Sequence, residues 1–111
     1  MAKFRALGSF TVPVAGTPVR IVPPTDQPKT CHAFSIQALP TNTGKVFVGD
    51  RATMNKTTMV GVLAIIPIPT ANLLGSFTSA LAMGANAIPI DNLWLDVDTG
   101  GEGVIMSILE G

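Results

Sequence analysis

Residues 92–109 read Asn92-Leu-Trp-Leu-Asp-Val-Asp-Thr-Gly-Gly-Glu-Gly-Val-Ile-Met-Ser-Ile-Leu109, and this stretch decides the fold class. Leu93, Leu95 and Val97 alternate with Trp94, Asp96 and Asp98, the two-residue period of a strand with one apolar and one polar face. Thr99 to Gly103 is glycine-rich and reads as a turn. Val104 to Leu109 is then a last strand, and the two strands are predicted to form a terminal hairpin.

The same period recurs upstream. From Cys31 to Leu39, the residues His32, Phe34, Ile36 and Ala38 share one face and Cys31, Ala33, Ser35, Gln37 and Leu39 the other. Val46 to Val48 is β-branched and aromatic, and Gly49-Asp50 stops it. Met59 to Ile68 is an almost unbroken apolar run in which Val60, Val62, Ile65 and Ile66, with prolines close behind, favour a strand that is mostly core. Phe10, Val12 and Val14 alternate, and Val19 to Val22 follows, closed by Pro23-Pro24. Proline does not donate to a central ladder, so residues 1–24 read as an extended arm or as edge strands. A helix competes only in Asn72 to Met83, where Leu73, Leu74, Phe77 and Leu81 fit one helical face while Gly75 opposes it. That segment is a short helix or a loop and strand. The expectation is an all-β sandwich with at most one short helix.

With 111 residues the chain makes one domain with a single modest core. Charged residues are 13% and hydrophobic ones 47%, too apolar for disorder and suited to hiding surface against partners. The net charge is zero, yet all seven basic residues lie in the first 56 positions, and residues 57–90 contain no charge at all. Either basic and acidic strands pair within a sheet, or opposite faces of the particle meet oppositely charged neighbours. A membrane helix through the uncharged stretch is not expected, because Pro67, Pro69, Pro89 and three glycines interrupt it. The single cysteine forms no internal disulfide.

The residues offer little chemistry. Cys31 and His32 are adjacent, so on a strand they point to opposite faces and cannot act as nucleophile and base. Asp96, Asp98 and Glu102 cluster near one turn, but the spacing of a calcium loop is missing, so neither metal nor cofactor is expected. Aromatics are 5% and there is no basic aromatic strand face, so nucleic acid is not an expected partner. No catalytic residue is assigned and the protein is not expected to be an enzyme.

Two segments carry a resemblance to a known family. Asn42-Thr-Gly44-Lys-Val-Phe-Val-Gly49-Asp50 resembles a turn-and-strand stretch of small virion structural proteins of tailed double-stranded DNA phages, and Asn92 to Val104 resembles their C-terminal hairpin. The whole sequence is most similar to the capsid decoration, or staple, proteins of epsilon-fifteen-like short-tailed phages. The resemblance implies a jelly-roll-like β sandwich, to which the proline-broken residues 1–24 would add an extended N-terminal arm. It also implies a protein made in the host cytoplasm and carried on the outer surface of an icosahedral head, where it clamps major capsid subunits together. Related proteins serve as fibre, spike or tail components, and a carbohydrate- or ligand-binding β module is the alternative from another class. The candidate capsid-contact arm carries Lys3, Phe4, Arg5 and Arg20. Leu73, Leu74 and Phe77 are candidates for self-association or capsid contact, with a two-fold dimer favoured over a trimer. Asp96, Asp98 and Glu102 form the candidate acidic hairpin contact.

Overall fold

The computed structural model describes residues 3–69, 76–78 and 88–110. Its strands are β1 (Lys3–Thr11), β2 (Val19–Arg20), β3 (Thr30–Cys31), β4 (Ala33–Ala38), β5 (Val46–Gly49), β6 (Val62–Ile66), β7 (Ser76–Thr78), β8 (Ile88–Pro89), β9 (Trp94–Val97) and β10 (Gly103–Glu110). One 3-10 turn, Ile90–Asn92, is the helical element among the described residues. Two four-stranded antiparallel sheets result, β1-β10-β4-β7 and β2-β9-β5-β6, with β3 and β8 as a small separate pair. Numbering the eight main strands along the chain, the first sheet runs first, eighth, third, sixth and the second runs second, seventh, fourth, fifth. That interleaving is the double Greek key of a jelly roll.

The core lies between the sheets and follows from side-chain alternation. In the first sheet Phe34, Ile36 and Ala38 of β4 face Ile108, Met106 and Val104 of β10 in register, all buried. In the second, Val46 pairs with both Ile66 and Val97, and Val48 pairs with Leu95. Among the described residues, Ile21, Ile36, Ile66, Ile90, Leu95 and Ile108 are the largest apolar side chains that are fully buried, each worth about 1.5–3 kcal/mol on transfer.

Several sequence expectations are corrected. β9 and β10 do not form a hairpin: they belong to different sheets, and residues 98–102 cross from one to the other. Residues 3–11 do not reach away from the body as an arm. They pair with β10 along their length as the edge of the first sheet, and Val19–Arg20 forms an edge of the second. The run from Met59 to Ile68 is mostly not core. Ile66 is fully buried and Val62 only half-buried, while Leu63 and Ile65 are exposed, because β6 is an edge strand with one face toward solvent. The Cys31 strand is broken at His32 into β3 and β4, so both Cys31 and Phe34 enter the core. Leu73, Leu74 and most of the segment considered for a helix lie outside the described residues, whereas Phe77 belongs to β7 and pairs with Ile36.

Candidate interaction surfaces

Two of the three acidic candidates, Asp96 and Glu102, hold backbone donors within the fold. Asp96 is 2% exposed, contrary to the expected polar strand face, and its Oδ1 accepts hydrogen bonds from the Gly16 N–H and the Val97 N–H, both at 2.8 Å. The turn after β1 thereby covers the outer side of β9. Glu102 accepts three hydrogen bonds, from the Thr43 N–H (2.6 Å), the Thr43 hydroxyl (2.9 Å) and the Gly44 N–H (2.9 Å). Partial burial pushes its carboxyl up in pKa, but these donors outweigh that and hold it below the ordinary carboxylate value. Asp98 remains exposed, 3.5 Å from the Lys56 ammonium, which also donates to the Val97 carbonyl at 2.7 Å.

The Asn42-Thr-Gly44 motif is explained by the same place. A Cβ on Gly44 would stand 3.0 Å from both Asp98 Cβ and Thr99 Oγ1, so the turn packs tightly against the crossover and a larger residue there would make those two side chains shift by a few tenths of an ångström. The motif was legible as a turn, but nothing in its pattern named residues 98–103 as its partner.

The basic candidates are dispersed. The Arg5 guanidinium donates to Gln27 Oε1 at 3.3 Å. Arg20 is exposed and lies opposite Trp94 in the β2–β9 register. Lys3 lies opposite Glu110 in the backbone register of β1 and β10. Phe4 stands out, 86% exposed at the edge of the first sheet. Cys31 is buried in the core, and burial pushes its thiol up in pKa.

Among the described residues, two uncharged surfaces remain. One follows the outer side of β6, where Met59, Val60, Leu63, Ile65 and Ile68 are 46%, 53%, 52%, 44% and 46% exposed. The sequence reading missed these as surface residues because a continuous apolar run does not distinguish core from an edge strand with an apolar outer face. The other is the outer face of the first sheet, formed by Phe4, Ala6, Ser9 and Thr11 of β1, Ile105, Ser107 and Leu109 of β10, and Ala33, Ser35 and Gln37 of β4. No group of three or more His, Cys, Asp or Glu able to hold a metal occurs among the described residues, and no described helix is long and apolar enough to cross a membrane. Compared with known proteins, the chain matches no family model, no curated protein and no solved structure.

Proposed function

We propose that this protein is a structural component of a double-stranded DNA phage head, bound to the outer surface of the capsid, where it staples neighbouring major capsid subunits. The observation that carries the reading is the apolar strip on β6. Five large apolar side chains stand about half exposed on and beside an edge strand, within a stretch of sequence that has no charged residue to discourage pairing. An edge strand of this kind suits an extended segment of a partner, with main-chain hydrogen bonds supplying affinity and the apolar side chains supplying fit. The jelly roll supports the reading at the level of class, since viral capsid proteins use it repeatedly, although lectins do too. On a lattice, many weak contacts of this kind act together.

The test is binding to undecorated icosahedral heads of an epsilon-fifteen-like phage, measured by co-sedimentation. Saturable binding of the native chain, raised heat resistance of the heads and loss of both in Leu63→Asp or Ile65→Asp are expected. Failure of the native chain to bind, or binding that both variants retain, refutes the assignment of this strip to capsid contact.

A further inference from the structure

Beside the β2 edge and the Ile90–Asn92 turn lies a pocket of about 230 Å³, lined by Arg20, Val22, Pro23, Lys29 and Asp91. Its frame follows from alternation. Ile21 and Pro23 are buried while Arg20 and Val22 are exposed, so the segment that anchors itself in the core turns its cation outward. Two backbone bonds hold the walls together: the Ile21 N–H donates to the Leu93 carbonyl at 2.8 Å, and the Ile90 N–H donates to the Lys29 carbonyl at 3.0 Å. Ile21, Ile90 and Leu93 are core residues, and Pro23-Pro24 restricts the backbone between the two cations, so the frame is set before any ligand arrives. Arg20 has Trp94 and no acid as its cross-strand neighbour. Among the described residues neither Arg20 nor Lys29 is held in an ion pair, and Asp91 is joined to neither.

We infer that this pocket receives the side-chain carboxylate of an acidic residue on another protein, with Arg20 and Lys29 as the cations that hold it. A guanidinium forks onto both oxygens of a carboxylate, and an ammonium adds a compact charge beside it. Val22 and Pro23 give the methylenes of the entering side chain an apolar wall. A cavity of roughly 150 Å³ accepts a benzene ring, so there is room here for a carboxylate and the peptide group next to it. Asp91 narrows the choice of ligand. A phosphate group presents negative charge and acceptors on every side and is repelled by Asp91, whereas an acidic residue brings a peptide N–H for which Asp91 is an acceptor. Attraction at an exposed site is modest and screened by salt, so the contact orients a partner more than it tightens binding. β2 and β6 are opposite edges of the second sheet, so this pocket is separate from the apolar strip and does not rest on the capsid reading.

Nitrogen-15 NMR titration of the purified full chain at low salt tests it, with N-acetyl-Ala-Glu-Ala-amide added up to about 10 mM, the range of weak specific binding. Saturable shifts of the Arg20, Val22, Lys29 and Asp91 amide signals are expected, and none from the matching glutamine peptide. Arg20→Gln and Lys29→Gln are each expected to weaken binding about two- to fivefold, the worth of one exposed ion pair. The double variant should lose it while keeping the dispersed amide spectrum of a folded chain. Inorganic phosphate should bind the native chain more weakly than the glutamate peptide does, and Asp91→Asn should raise its affinity. Tighter binding of N-acetyl-Ala-Ala-Ala through its free terminal carboxylate would assign the pocket to a chain end and overturn the side-chain assignment. Absence of saturable shifts, an equal response to the glutamine peptide, phosphate binding as tight as the peptide's, or undiminished binding in the double variant also overturns the inference.

Discussion

Asn42 and Gly103, 61 residues apart in sequence, exchange two hydrogen bonds: Asn42 Nδ2 donates to the Gly103 carbonyl at 2.7 Å, and Asn42 Oδ1 accepts from the Gly103 N–H at 3.3 Å. The amide side chain thus acts as one more rung of β ladder at the point where the chain enters β10. Beside it, Glu102 grips Thr43 and Gly44. Together they fasten the β4–β5 turn to the crossover that joins the two sheets.

Replacing Asn42 with Ala leaves the Gly103 N–H without this acceptor, while the carbonyl keeps its bond from the Leu39 N–H. One unsatisfied buried donor costs about 1–3 kcal/mol. Urea denaturation of Asn42→Ala should show a loss in that range with an unchanged slope.

Gly103 has no room for a side chain: an added Cβ would fall onto the Phe10 carbonyl and within 2.7 Å of Thr11 Cα. Gly101, by contrast, meets nothing within 4 Å but has φ +87°. Gly101→Ala is therefore expected to cost about 1–2 kcal/mol from backbone conformation alone. Gly103→Ala must part β1 from β10 and should abolish the cooperative thermal transition or lower its midpoint far more.

The Glu102 carboxyl is held below its ordinary pKa by its three donors. A depressed folded-state pKa gives stability that is present above the unfolded-state pKa and is lost as pH falls through the folded-state value. The native chain should therefore lose stability on acidification below the ordinary glutamate range. Glu102→Gln should be less stable than native at neutral pH, with the difference narrowing as acid protonates the native carboxyl. Denaturation midpoints from pH 7 down to pH 3 check the sign, and a difference that stays constant would show that the charge plays no part.

β6 separates core from surface within five residues. Ile66→Ala removes a fully buried side chain and should cost about 2–5 kcal/mol. Leu63→Ser, at a position 52% exposed, should stay within about 0.5 kcal/mol of native. Chemical denaturation of the two variants distinguishes this arrangement from one in which the whole run is core.

Cys31 should resist modification by a thiol reagent in the folded protein and react fully once the chain is denatured, because burial raises its pKa and removes its access.

The two-residue period of Phe34-Ser-Ile-Gln-Ala38, of Val46-Phe-Val48 and of Leu93 to Val97 determined by itself that these segments are strands. It also determined, for Phe34, Ile36 and Ala38, which side faces the core. Alternation specifies a face and not a neighbour. A five-residue connection such as 98–102 serves a hairpin as well as an arch between sheets, and only bonds from residues far away in sequence, Asn42 to Gly103 and Thr43 to Glu102, select the arch. The burial of Asp96 has the same origin, since its partner at Gly16 is 80 residues away. Whether an apolar strand is central or at an edge depends on how many neighbours the topology supplies, so Leu63 and Ile65 became surface only when β6 closed the second sheet.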